Sequence, residues 1–181
     1  MPALQTIEVI TMDILAQIVG ILGTCAAFIS FQLKENKKFF ILQSTSGALF
    51  ALNFLMLGAY TGSLLNLINI YRGAVMAGGK KTRKLFFLVS IQLLYIVATV
   101  FTYTNIFSLI ALAAQLIGTF AMWSQNGKTI RILQLFAVSP MWLIHNIFVF
   151  SIGGIICEVF NIGSIIVSLI RFGFDGFERN M

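Results

Sequence analysis

Gly78-Gly79-Lys80-Lys81-Thr82-Arg83-Lys84 holds four of the chain's 12 lysines and arginines, between two long apolar runs. Outward from it, the remaining basic residues gather at alternate junctions only. Lys34, Lys37 and Lys38 follow the first apolar run, Lys128 and Arg131 follow the fifth, and Arg171 and Arg179 close the chain, with Arg72 just before the quoted stretch. The intervening connections at 58–60, 104 and 151–154 carry none. Lysine and arginine mark cytoplasmic loops, so the amino terminus is expected outside and the carboxyl terminus inside. A crossing needs roughly 17–25 residues of mostly apolar helix. Seven runs meet that reading: Asp13–Leu33, Phe39–Leu57, Thr61–Ala77, Leu85–Tyr103, Asn105–Ser124, Thr129–Phe150 and Ile155–Phe172. The expected fold class is an all-α membrane protein with seven transmembrane helices in one integral domain, 1–181.

Composition agrees. The chain is 59% hydrophobic and 10% charged, against about 25% charged in soluble domains. Its net charge of +6 is confined to short loops, which argues against nucleic acid as a partner. Residues 1–12 contain no lysine or arginine, so they lack the basic region of a signal peptide and the first run reads as a retained helix. No long polar stretch leaves room for a soluble catalytic domain. Cys25 and Cys157 both lie in apolar segments without disulfide or metal spacing, and read as small buried hydrophobes.

The halves repeat. Leu22-Gly23-Thr24 returns as Ile117-Gly118-Thr119, Leu42-Gln43 as Leu133-Gln134, and Asn53 as Asn146. Asn66-Leu67-Ile68-Asn69 is answered by Glu158-Val159-Phe160-Asn161, 92 positions on. The expected organisation is a three-helix repeat at 13–77, a linker helix at 85–103 and a second repeat at 105–172. A single linker crossing gives the two repeats the same orientation, the parallel arrangement of SWEET-class carriers.

His145, the only histidine, and Glu158, the only acid well inside an apolar segment, are functional candidates because ionisable groups at membrane depth are costly. Asn66 and Asn69 share a helix face, as do Glu158 and Asn161, and Trp142, His145 and Asn146. With Asn53, these residues converge on the outer half of the bundle if their faces point inward. Two readings stand. They line a pocket for a small polar solute, with Trp142 as a flat stacking face, or they hydrogen-bond helix to helix and hold the bundle together. For His145 and Glu158 the readings are a static lock between helices six and seven, a proton-coupling pair, or ligand contact without proton coupling. Pro140 predicts a kink in helix six, Gly153-Gly154 a tight outer turn, and Trp123 an interface anchor.

Enzyme chemistry finds no support in motif: there is no G-x-S-x-G, no H-E-x-x-H and no aspartate placed to complete a triad with His145. Cys157, Glu158 and His145 lack the spacing of a metal site. No metal or other cofactor is expected.

Trp142-x-Ile144-His145-Asn146, Ser151-Ile152-Gly153-Gly154 and Glu158, with Leu57-Gly58-Ala59-Tyr60 before Asn66, resemble the YgjV-type bacterial inner-membrane protein family over essentially the whole chain. That resemblance implies a multi-pass protein of the bacterial inner membrane. More distantly, the duplicated three-helix pattern resembles the PQ-loop and SWEET-like group, including carriers of the PnuC type, whose pocket motif is similar to Asn66-x-x-Asn69. Glu158 departs from that motif, and only Gln32 and Gln125 remain of the Pro-Gln signature. The expected function is a facilitator or proton-linked transporter of a small polar solute, by alternating access in the lipid bilayer. The alternative is a non-transporting receptor, ligand sensor or partner protein built on the same bundle. Homo-oligomer formation stays open.

Overall fold

The computed structural model describes residues 2–31, 36–78, 84–124 and 127–172. These form α1 (Pro2–Phe31), α2 (Asn36–Met56), α3 (Tyr60–Ala77), α4 (Leu85–Thr102), α5 (Ile106–Ser124), α6 (Gly127–Leu133), α7 (Ser139–Phe148) and α8 (Ile152–Phe172). A π-helical turn, Gln134–Val138, joins α6 to α7, so the eight segments make seven rods. No strand occurs among the described residues. Helix is what lipid demands of such a sequence, because each backbone donor and acceptor must be satisfied within its own segment.

Among the described residues, four spans are long and apolar enough to cross a bilayer: Met12–Ser30, Leu85–Thr102, Ile106–Ser124 and Lys128–Phe148. Ile41–Met56 and Ile152–Val167 are shorter apolar helices. The distribution of side chains is that of a membrane bundle. Large apolar residues such as Leu22, Phe101, Phe120 and Ile170 face outward, while the fully buried positions include Ala16, Ser30, Ala111, Ala114 and Thr119. Small side chains bring helix backbones close where no hydrophobic force between helices operates.

α1 packs on α2 and α8, α2 on α3, and α7 on α8. α5 packs on the α6–α7 rod and also on α3, while α4 lies against α3 and α5. One end of the bundle carries the short turns around 58, 104 and 150 and is called the turn end. The opposite, basic end carries the connections after α1, α3 and α5. Lys34, Lys80, Lys81 and Arg83, together with Gln32, Gln125 and Arg179, fall outside the described residues.

Three expectations change, and that for Pro140 is given a specific form. α1 begins at Pro2 rather than Asp13, and Met12–Ser30 is its membrane-length portion. Gly153 and Gly154 lie in the first turn of α8, not in a loop; the chain reverses at 149–151, where Phe150 takes a φ of 54°. That left-handed conformation is strained for a bulky residue, and Gln17 holds it by donating to the Phe150 carbonyl at 2.8 Å. Pro140 acts through the π turn before it. It cannot supply an amide to the carbonyl of Phe136, and the backbone widens there so that Ser139 N–H reaches Gln134 C=O. Cys25 is exposed on the bundle surface, whereas Cys157 is buried as expected.

Candidate functional site

The polar residues gather in three groups. The first closes the turn end. Asn53, fully buried on α2, donates from Nδ2 to the Ala16 carbonyl of α1 at 2.7 Å and accepts from Ser151 Oγ at 2.7 Å. Ser151 in turn accepts from the Gly154 amide at 3.2 Å. Gln17 grips the same turn from α1, accepting from the Ile152 amide at 2.8 Å, and Thr24 donates to the Gly153 carbonyl at 2.7 Å. This seam requires Gly153. A Cβ there would lie 2.6 Å from the Gly20 carbonyl oxygen and 2.7 Å from its Cα.

Beside the seam, Phe54 stacks on Trp142 with ring centroids 5.9 Å apart, and His145 packs edge-on against both. Trp142 therefore offers one face to Phe54. His145 Nδ1 faces the Phe107 carbonyl of α5 at 3.2 Å, whereas its Nε2 is buried without a protein partner. Gly62 makes room for that ring, since a Cβ there would come within 2.8 Å of Nε2. Asn146 Oδ1 is likewise buried without a partner, close against Gly154. His145 also borders a cleft of ≈ 20 Å³ lined by Tyr60, Thr61, Thr104 and Ser108 among others. Such a volume holds about one water.

The second group lies at mid-depth where α3, α4 and α5 meet. Asn66 donates to Gly62 C=O at 2.9 Å, Asn69 donates to Asn66 Oδ1 at 3.3 Å, and Tyr95 donates to Asn69 Oδ1 at 2.7 Å. Tyr95 is completely buried and lies within reach of Thr119. Arg72 Nη1 donates to Gln115 Oε1 at 3.1 Å and to Thr119 Oγ1 at 3.2 Å.

The third group joins α7 to α8. Asn161 Nδ2 donates to Glu158 Oε2 at 3.3 Å, Ser139 lies within reach of Glu158, and Gln134 donates to Ser139 Oγ at 2.9 Å. Asn161 also borders a cleft of ≈ 40 Å³ between α1 and α8, lined by Thr24, Phe28 and Cys157 among others. His145 and Glu158 are thus held by different partners, and the lock between helices six and seven is not formed in this state. The eight candidates, Asn53, Asn66, Asn69, Trp142, His145, Asn146, Glu158 and Asn161, do not share one cavity here.

The sequence matches one family model, that of a bacterial inner membrane protein (Imp-YgjV), over residues 14–175. The chain belongs to this family. A relative, the inner membrane protein YgjV of Escherichia coli (strain K12), is 25% identical over 148 residues, covering 80% of this chain and 76% of that protein. No solved structure matches the chain significantly. The protein is therefore a multi-pass protein of the bacterial inner membrane, with the groups above set among its helices.

Sequence reasoning missed Arg72, Tyr95, Gln115 and Gln17. For Arg72 the signal was present: it lies five residues inside the end of an apolar run, under the same rule that singled out Glu158. Tyr95 and Gln115 stand on different apolar runs from Asn69 and Arg72, so only the fold brings them together.

Proposed function

We propose that this protein is a transporter of a small polar solute, working by alternating access between two parallel three-helix units. The units are α1–α3 and α5–α8, joined by α4, with the turn end outside and the basic end inside. The packing supports this division. If α1 corresponds to α5 and α3 to α8, the α1–α8 seam corresponds to the α3–α5 seam, and both are present. The paired Asn66/Asn69 and Glu158/Asn161 also repeat one geometry, an i+3 amide donating back at 3.3 Å.

The observation that carries the reading is a pair of buried polar atoms without a protein partner, His145 Nε2 against Gly62 and Phe54 of the other unit and Asn146 Oδ1 beside Gly154. A group buried without a partner destabilises the protein by roughly 1–3 kcal/mol, so a structural bundle gains nothing from keeping it. A solute that accepts from or donates to these atoms gives them a purpose. With clefts of only ≈ 20 and ≈ 40 Å³, the present state is closed, and the turn-end seam is what closes it. Rocking one unit against the other would open the pocket toward one side at a time.

The test is a thermal-shift screen of the detergent-purified protein with sugars, nucleosides, vitamins and amino acids, at acid and neutral pH, followed by flux in proteoliposomes. A ligand that stabilises the wild type but not Glu158→Gln, and crosses the membrane only with protein present, is the expected result. Binding without flux would instead support a receptor or sensor. No binding, with Glu158→Gln simply melting lower, would reduce the polar groups to structural bonds.

A further inference from the structure

Arg72 is the only basic residue in the body of α3, five residues inside its basic end. An arginine near a helix end ordinarily bends its charge toward the nearer membrane surface. Arg72 lies five residues from the basic end of α3, yet its guanidinium turns the other way. Its acceptor Gln115 is the midpoint of α5, nine residues from either end, and is 3% exposed. Tyr95 and Asn69, which complete this polar group, are also well inside their helices. The charge is therefore held toward mid-depth by deliberate bonds.

Those bonds do not neutralise it. Gln115 Oε1 and Thr119 Oγ1 are neutral acceptors, and the acid inside the bundle, Glu158, is bonded to Asn161 on α8. Both hydrogen bonds of Arg72 leave from Nη1. A guanidinium has five donors in a planar fork, so Nε and Nη2 keep the paired edge that grips an oxyanion. The seam between α3 and α5 also joins the two three-helix units, where alternating access would expose a solute.

We propose that Arg72 is the receptor for an oxyanion, a carboxylate or phosphate carried by the solute, with Gln115, Thr119, Tyr95 and Asn69 as its neutral surround. This rests on the transport reading and narrows it, from any small polar solute to a small acid. Arginine supplies the charge and the geometry. Gln115 and Thr119 hold the fork away from the membrane surface until the solute arrives.

The experiment compares acids with neutral molecules, two of them the amides of the same acids, using the full chain at constant ionic strength. Acetate, succinate and inorganic phosphate are set against acetamide, succinamide and glycerol in thermal-shift titrations of wild type, Arg72→Gln and Arg72→Lys. The acids should stabilise the wild type, the amides should not, and Arg72→Gln should weaken acid binding by roughly tenfold or more. Arg72→Lys, keeping charge but not the fork, should fall between. Amides that bind as well as acids, or acid affinity unchanged in Arg72→Gln, overturn the proposal. Protection by phosphatidylglycerol vesicles but by no soluble anion also overturns it, since the site would then be a lipid contact. If Arg72→Gln does not fold, the acid–amide comparison and Arg72→Lys decide. Proteoliposome flux separates the two levels. Acid binding without flux keeps the anion site and removes transport, whereas neutral-solute flux that survives Arg72→Gln keeps transport and removes the anion site.

Discussion

Gly153→Val should undock α8 from α1 and lower stability by about 3 kcal/mol, at the upper end of overpacking effects. The reason is that the atoms in the way are backbone. A Cβ at this position meets the carbonyl carbon, oxygen and Cα of Gly20, none of which can swing aside like a side chain. Relief would require the helices to separate, and that would break the Thr24 bond to Gly153 and the Gln17 bonds to the turn. Gly163 provides the control on the same helix, because nothing lies within 4 Å of its added Cβ. Gly163→Ala should therefore leave the melting temperature unchanged or slightly higher. Thermal unfolding in detergent, followed by circular dichroism, measures both. Equal melting of the two variants would show that α1 and α8 do not meet as described.

The second large effect separates two asparagines that occupy matching places in the sequence. Asn53→Ala removes a fully buried side chain with two interhelical bonds, leaving Ala16 C=O and Ser151 Oγ without it. The loss should be about 2 kcal/mol, from the bonds and the void together. Asn146→Ala removes a side chain whose Oδ1 has no partner. The relief of that buried acceptor offsets the void, so its stability should change by less than about 1 kcal/mol. Its effect should fall on solute binding instead. The pair is read by thermal unfolding alongside ligand titration. If Asn146→Ala were as destabilising as Asn53→Ala and solute binding were untouched, Asn146 would be structural.

The helical bundle was legible in the sequence because lipid imposes a strict length and satisfies no backbone group. Apolar runs and their basic junctions are therefore a direct record of the rods. Side-chain pairing along one helix was legible for a similar reason: the i, i+3 spacing brings Asn66 to Asn69 and Glu158 to Asn161, and both pairs form. What the sequence hid is pairing between helices. Nothing in the spacing of Gln17 and Phe150 says that they meet 133 positions apart. Gly153 was ambiguous because glycine serves turns and close packing equally, and here packing prevails while Phe150 makes the turn. Arg72 was read with its neighbouring loop because of its position along α3. Only the direction of its side chain, toward Gln115, reveals a charge held inside the bundle.

The most direct measurement is solute exchange with the turn-end seam fastened. Gln17→Cys and Ile152→Cys, in a background of Cys25→Ser and Cys157→Ala, place thiols on the two sides that the Gln17 bond now joins. The protein is reconstituted in liposomes, and exchange of the strongest stabilising solute from the screen is followed before and after a reversible thiol cross-linker. Alternating access predicts that exchange stops when the link forms and returns when it is reduced. Exchange that continues at the same rate through fully linked protein would contradict it, because the seam would then not be a gate.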